Sequence, residues 1–200
     1  MSREPARPRA VPAILLFCIA VPASAQERLT LHDGWLIQSS ATVGVNGATI
    51  SSRAYRPEAW YRAKVPSTVV GTLVDNAVDD RYHDPFFGMN FRKLPGVTYK
   101  IGENFVHMPM SPQSPYAVPW WYRTTFRIPA TMRGKHVTLH FDGINYRANI
   151  WLNGRRLADS SAAAGTYRRY EFDETSVVSS DAANALAVQV FAPTPSDLQT

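Results

Sequence analysis

Short segments in which every second residue is apolar fill the region 120–191, and they constrain the fold more than any other feature of the sequence. Within residues 137–141, valine, leucine and phenylalanine alternate with threonine and histidine, which is the period of a strand with one buried face. Residues 167–173 and 185–191 have the length and composition of two more strands. No helical period lies between these segments, so they indicate an antiparallel β-sandwich.

A hairpin is predicted in the middle of this region. Residues 148–152 form an apolar, strand-like segment, and Asn153 and Gly154 follow it directly. Asparagine and glycine readily adopt the positive φ angles of a tight hairpin turn. We therefore expect residues 155–158 to return beside the first strand.

The first half of the chain carries weaker strand signals. One strand is predicted at 35–38, and another at 60–65, where Pro66 ends it because proline cannot donate to a strand ladder. The small, polar stretch between them contains Asn46 and Gly47, which we interpret as the tip of a further hairpin.

One short helix and one long irregular loop complete the predicted architecture. Ser67 or Thr68 can cap a helix over residues 69–76, whose apolar side chains fall on one helical face. Residues 79–110 then show no regular period. Loops of this length in a compact domain are usually functional or disordered, and the many aromatic residues of this one argue against disorder.

The first 25 residues are predicted to be a signal peptide rather than part of the fold. A start with three arginines precedes an apolar run at 11–21, and Ala-Ser-Ala at 23–25 forms a cleavage site, so the mature chain should begin at Gln26. The one cysteine, Cys18, lies in this leader, which leaves the mature chain without disulfides. These features predict a secreted or periplasmic protein.

The charge of the chain does not suggest a nucleic-acid partner. The formal net charge is +5, and the leader holds three arginines and one glutamate. The remaining chain therefore has 18 basic and 15 acidic residues, which is too small and too evenly spread an excess for nucleic-acid binding. A membrane partner is not expected either, because the apolar run at 11–21 is too short to span a bilayer as a helix.

The sequence contains no recognisable motif for binding a metal or a cofactor. His136 and His140 share one face of a strand, but four residues of separation place them too far apart to hold a metal unaided. The sequence also lacks a His-Glu-x-x-His motif, a Gly-x-Ser-x-Gly motif and a phosphate-binding loop. We therefore predict no metal site and no cofactor.

Four motifs, in order along the chain, resemble those of one known family. They are Trp-Trp-Tyr-Arg-Thr-x-Phe at 120–126, Phe-Asp-Gly-Ile-Asn-Tyr-Arg-Ala-Asn-Ile-Trp-Leu-Asn-Gly at 141–154, Glu-Phe-Asp at 171–173 and Asn-x-Leu-Ala-Val at 184–188. The chain resembles the N-terminal sugar-binding domain of glycoside hydrolase family 2 over roughly residues 29–200. The likeness is greatest to the branch of exo-β-glucosaminidases and mannosylglycoprotein mannosidases.

This resemblance implies a fold and an activity. The fold would be an all-β jelly-roll sandwich, galactose-binding-domain-like, with one short helix and a long irregular loop. Immunoglobulin-like and TIM-barrel catalytic domains would follow residues 26–200, and the whole enzyme would hydrolyse terminal β-linked glucosamine or mannose. Its partners would be a β-linked amino sugar or mannoside oligosaccharide and the downstream barrel of the same chain.

The resemblance places the catalytic carboxylates in the barrel. A retaining glycosidase needs two carboxyl groups about 5 Å apart. Glu103, Glu171 and Glu174 are the obvious acidic residues of this chain, but none lies in a motif similar to the family's acid or nucleophile. No catalytic residue is therefore assigned, and the 200 residues alone are expected to be inactive.

Two residues of the irregular loop are candidate sugar contacts. The run from Asp84 to Asn90 combines aromatic rings with a carboxylate and an amide, and both kinds of group recognise sugars. In the family, an asparagine of this loop contacts the terminal sugar, and its motif position corresponds to Asn90. The structural alternative is that Asp84 caps a turn and Asn90 holds the backbone of the loop.

Trp120 and Trp121 are the other two candidates for substrate binding. Neighbouring residues on a strand face opposite sides, so we expect one indole in the core and the other at an interface or on a sugar platform. A core role is the simpler interpretation for each alone. An exposed aromatic platform would also fit the alternative function, a free-standing carbohydrate-binding module without catalysis.

Overall fold

The computed structural model describes residues 26–78 and 112–198. The predicted signal peptide and the irregular loop at 79–110, with Asp84, Asn90 and Glu103, lie outside the described residues. The described elements, in chain order, are β1 (Trp35–Ser39), α1 (Gly47–Ile50), β2 (Tyr61–Ala63), α2 (Val69–Asp75), β3 (Trp120–Phe126), a 3-10 turn (Ala130–Met132), β4 (Thr138–Phe141), β5 (Ala148–Leu152), β6 (Arg155–Ala158), β7 (Tyr170–Asp173), β8 (Asn184–Val190) and a second 3-10 turn (Pro195–Leu198).

The strands form two antiparallel sheets, which confirms the predicted all-β sandwich. Six strands make the larger sheet in the order β2-β1-β3-β8-β5-β6, and β4 pairs with β7 in a two-stranded sheet. β3 and β8 run side by side over seven residue pairs, from Trp120 opposite Val190 to Phe126 opposite Asn184. These two long strands form the centre of the larger sheet.

The inner core lies between the two sheets. Alternate residues of the central strands point into it, as the period of two predicts. They include Ile37, Trp120, Tyr122, Ile150, Leu152, Leu186 and Val188. Phe141 and Phe172 cover this core from the small sheet, with their rings edge to face at 6.2 Å.

The opposite face of the larger sheet carries a second, outer core. Trp121, Ala187 and Ile50 are buried there, and Trp151 packs against them. The indoles of Trp121 and Trp151 lie 5.3 Å apart between ring centroids. The segment 40–60, which contains α1, covers this face, so β3 and β8 are buried on both sides.

The predicted hairpin between β5 and β6 is confirmed. Asn153 and Gly154 have φ angles of 51° and 88°, the left-handed values that the turn requires. The Asn153 side chain also joins the turn to β8, because its amide donates to the carbonyl of Val177 at 2.9 Å and to Oδ1 of Asn184 at 2.8 Å. The turn is therefore held by tertiary contacts as well as by its local sequence.

The prediction of a hairpin tip at Asn46 and Gly47 is wrong. Asn46 is the N-cap of α1, and its Oδ1 accepts a hydrogen bond from the Thr49 amide at 3.0 Å. Asparagine is common at both kinds of position, because its side-chain oxygen can accept a hydrogen bond from a backbone amide of a turn or of the first turn of a helix. The described residues thus contain two short helices where one was predicted. The other, α2, begins as expected after Thr68, whose hydroxyl accepts from the Gly71 amide at 3.0 Å.

A clasp joins the end of the described chain to the start of β5. Arg147 Nη2 lies 3.1 Å from Asp197 Oδ2, and its guanidinium carbon lies 5.9 Å from the centre of the Phe191 ring. The Phe191 amide donates to the Arg147 carbonyl at 3.0 Å. We refer to Arg147, Phe191 and Asp197 as the C-terminal clasp.

No helix within residues 26–78 and 112–198 is long and apolar enough to cross a membrane.

Candidate functional site

The two described segments that flank the predicted sugar-binding loop, which we call its stems, both pack in the inner core. The first stem is α2, whose Leu73 is buried, and the second is the segment 112–119, whose Tyr116 is buried. Both side chains belong to the same cluster as Trp120. The described residues on both sides of the predicted loop are therefore anchored in the inner core.

Hydrogen bonds hold both stems in place. Asn76 ends α2 and bonds to β2 in both directions, since its Oδ1 accepts from the Arg62 amide at 3.1 Å and its Nδ2 donates to the Arg62 carbonyl at 2.7 Å. On the second stem, Trp120 Nε1 donates to the Pro115 carbonyl at 3.1 Å. The Tyr122 hydroxyl donates to the Ser67 carbonyl at 3.3 Å, and burial raises the pKa of Tyr122 to about 12. This phenol stays neutral and acts as a donor.

The structure places the two candidate tryptophans on opposite faces of β3, as predicted. Trp120 packs in the inner core and is 6% exposed, whereas Trp121 packs in the outer core and is 3% exposed. A ring can stack on a sugar only if one face is accessible. Their burial favours the structural role for both residues, and sugar contact by either one stays a prediction.

Arg123 is a buried residue whose role the sequence analysis missed. It is 5% exposed, its Nε donates to the Ile50 carbonyl at 2.8 Å, and its guanidinium carbon lies 5.7 Å from the centre of the Tyr55 ring. Burial lowers the pKa of this guanidinium, although arginine remains protonated in proteins. The available signal was a charged residue directly after the three aromatic residues 120–122 of a predicted strand, because buried charges need dedicated partners.

The acidic residues considered for catalysis have other surroundings. Glu171 Oε1 lies 3.0 Å from His140 Nδ1, and Asp142 Oδ1 lies 3.1 Å from His140 Nε2, on the exposed side of the small sheet. His136 pairs instead with Asp173 at 2.9 Å, and within residues 26–78 and 112–198 no group of three or more potential ligands could hold a metal.

Glu174 follows β7 and is buried, with 4% exposure. Its Oε2 makes no hydrogen bond in the described part of the chain. Burial raises the pKa of its carboxyl; nearby Arg155 opposes the shift and Asp173 reinforces it. Because the folded state binds this proton more tightly than the unfolded chain, Glu174 stabilises the fold below the unfolded pKa, and this contribution is lost as the pH rises through the folded pKa.

Glu174→Gln should therefore raise the melting temperature at pH 7, because glutamine carries no charge to desolvate. The gain over the native chain should shrink as the pH falls to about 4, where an unfolded glutamate is itself protonated. Thermal unfolding between pH 4 and 8 measures both effects. Glu171→Gln, at an exposed position, is the matched control and should show no such gain. A Glu174→Gln variant that melts below the native chain at pH 7 would contradict the interpretation.

Comparison with known proteins points to the same family that the four sequence motifs resemble. Residues 35–199 match the family described as "Glycosyl hydrolase 2 galactose-binding domain-like". An exo-β-D-glucosaminidase of Streptomyces avermitilis is 34% identical over 161 residues, which are 80% of this chain and 15% of the relative. A mannosylglycoprotein endo-β-mannosidase of Lilium longiflorum is 30% identical over 168 residues, or 82% of this chain and 15% of the relative.

A solved structure agrees with the fold. The crystal structure of the exo-chitosanase CsxA from Amycolatopsis orientalis superposes with a TM-score of 0.65 and 28% sequence identity, covering 82% of this chain and 17% of that protein. The chain thus spans about 15% of the length of the curated relatives that it matches. The sandwich, the four motifs and the match over residues 35–199 show that the chain belongs to the galactose-binding-domain-like family of the family 2 glycoside hydrolases.

Proposed function

We propose that this chain supplies the sugar-binding domain of a family 2 glycosidase that removes terminal β-linked glucosamine or mannose residues. The observation that carries the proposal is the coverage: 80% of this chain corresponds to only 15% of an exo-β-D-glucosaminidase. The related exo-chitosanase of Amycolatopsis orientalis, 29% identical, has also been solved in complex with PNP-β-D-glucosamine. These relatives favour an amino sugar as the substrate, with a mannoside as the alternative.

In this proposal the chain contributes contacts to the substrate and leaves the chemistry to a barrel. Hydrolysis with retention requires two carboxyl groups about 5 Å apart, one as acid and one as nucleophile. Glu171 lies on the exposed side of the small sheet beside His140, whereas Glu174 is buried, so the two carboxyl groups do not face one common site. The stems at α2 and 112–119 would instead hold the loop with Asp84 and Asn90 at the mouth of the neighbouring active site.

The test is hydrolysis of p-nitrophenyl β-D-glucosaminide and β-D-mannoside. An enzyme that contains this domain and the barrel should turn over one of them, and the 200-residue chain alone should turn over neither. Within the active enzyme, Asn90→Ala should lower kcat/KM by roughly ten- to a hundredfold with little change in stability, because one well-positioned hydrogen bond is worth about 1–3 kcal/mol. Near-normal turnover with a clear drop in melting temperature would assign Asn90 a structural role instead.

Export is a separate part of the proposal. The arginine-rich start, the apolar run at 11–21 and the Ala-Ser-Ala site support a signal peptide and therefore a secreted or periplasmic location. N-terminal sequencing of protein recovered outside the cytoplasm should begin at Gln26. An intact Met1 on that material would refute the cleavage site.

A further inference from the structure

A pocket of about 270 Å³ lies on the outer face of the larger sheet, where the segment 42–60 folds over the end of β1. Its lining mixes aromatic, aliphatic and polar groups, among them Tyr55, Glu58 and Trp60. Drug-sized ligands usually occupy about 300–1,000 Å³, so this volume suits a ligand of one ring. None of these residues belongs to the loop that carries Asp84 and Asn90.

Two aromatic rings form part of the pocket wall. The rings of Tyr55 and Trp60 stand edge to face, with centroids 6.2 Å apart and planes inclined by 69°. Both side chains are half-buried, so each is anchored on the outer core and still reaches the surface. A sugar ring has an apolar C–H face that packs against such partly exposed aromatic groups.

Charged groups lie at the same pocket. Glu58 is exposed and makes no ion pair or hydrogen bond with the described residues. Its carboxylate can accept hydrogen bonds from two neighbouring hydroxyls or from an ammonium group. Arg56 lines the pocket beside it, with one guanidinium nitrogen held 2.8 Å from the Arg53 carbonyl. The pocket therefore offers an acceptor and donors next to aromatic surface.

Buried polar residues hold the backbone of this pocket in place. Ala59, between Glu58 and Trp60, has a φ of 55°, a left-handed conformation that costs free energy for a residue with a Cβ. The buried Gln38 stabilises it, since its Nε2 donates to the Ala59 carbonyl at 2.7 Å. Arg123 holds the other side of the segment through the Ile50 carbonyl. A site fixed before the ligand arrives loses less entropy on binding.

From this arrangement we infer that the pocket at Tyr55, Glu58 and Trp60 binds a single pyranose ring of a β-linked oligosaccharide. The aromatic rings pack against the C–H face of the sugar, and the Glu58 carboxylate accepts from its polar substituents. Arg56 supplies donors for ring hydroxyls. The choice of a β-linked sugar as the ligand rests on the proposed function, whereas binding requires no hydrolysis, so a failure to bind and a failure to hydrolyse are distinguishable.

Calorimetric titration of the full chain tests the inference, with the β-1,4-linked dimers of glucosamine and of mannose as probes. At least one dimer should bind. Glu58→Gln and Trp60→Ala should each weaken that binding about tenfold, which corresponds to about 1.4 kcal/mol. Tyr167→Ala is the matched control, because Tyr167 is 98% exposed and does not line the pocket. This variant should bind the dimers with the same affinity as the native chain.

The variants also identify the group that Glu58 contacts. A larger loss for the glucosamine dimer than for the mannose dimer in Glu58→Gln assigns the carboxylate to the sugar ammonium, and equal losses assign it to hydroxyls. Circular dichroism checks that each variant folds; Glu58→Gln changes only an exposed side chain, so it keeps the test decisive if Trp60→Ala does not fold. Absence of binding by both dimers, or an unchanged affinity in either folded variant, would overturn the inference.

Discussion

Replacing Asn184 by alanine should lower the melting temperature of the chain by about 6–12 °C. Asn184 is fully buried at the start of β8. Its Oδ1 accepts from Asn153 Nδ2 at 2.8 Å and from the Ser179 amide at 2.7 Å, and its Nδ2 donates to the Ser179 carbonyl at 2.9 Å. Alanine would leave these groups without partners in a place closed to water, at a cost of about 2–4 kcal/mol.

Asn46→Ala is the control that separates the cost of buried, unpaired polar groups from the cost of losing any asparagine hydrogen bond. Asn46 is exposed and caps α1, so Asn46→Ala should cost only about 1 kcal/mol. Thermal or urea unfolding of both variants under the same conditions gives the comparison. Equal stability of the two variants would show that the bonds of Asn184 are replaced by water and that the site is less closed than its burial indicates.

Replacing Gly47 by alanine should lower the melting temperature by about 4–10 °C, for a steric reason. A Cβ at Gly47 would lie 2.4 Å from two carbons of the Trp151 indole and 2.6 Å from a third. The indole cannot easily move away, because it packs against Trp121 at 5.3 Å within the outer core. Either α1 or Trp151 must shift, and overpacking of this kind typically costs about 1–3 kcal/mol.

Gly44 offers the control for this substitution. A Cβ at Gly44 meets no atom within 4 Å, so Gly44→Ala should leave the melting temperature nearly unchanged. Near-ultraviolet circular dichroism should report the disturbed pair of Trp121 and Trp151 in Gly47→Ala only. A Gly47→Ala variant with native stability and an unchanged tryptophan spectrum would show that α1 does not pack closely on Trp151.

The strands that could be predicted from the sequence are those whose signal is local. The period of two marks β4, and the Asn153–Gly154 turn fixes the register of β5 and β6, since the turn chemistry and the flanking apolar residues agree. The strand expected at 167–173 begins only at Tyr170. Tyr167 itself has a φ of 58°, which excludes it from a strand.

The errors arise where the structure depends on contacts between distant residues. Asn46-Gly47 is locally an acceptable hairpin tip, and only the close approach of Trp151, more than a hundred residues later, explains the glycine at the start of α1. In the same way, the burial of Trp121 depends on the segment 40–60, which no pattern on β3 indicates. The candidate contacts Asp84 and Asn90 came from the composition of their run and, for Asn90, from a resemblance to a family; both remain predictions.

The C-terminal clasp has a mechanical consequence. Antiparallel strands separate readily when force opens their hydrogen bonds one after another from an end, and β8 would be exposed to this if the chain after Val190 were free. Asp197 is instead tied to Arg147, and the Phe191 amide is bonded to the same residue, so a pull transmitted through residue 198 first loads the beginning of β5. A force from any segment attached there would therefore act on β8 and β5 together. It would load the hydrogen bonds of the larger sheet along the strands instead of opening them one at a time from the end of β8.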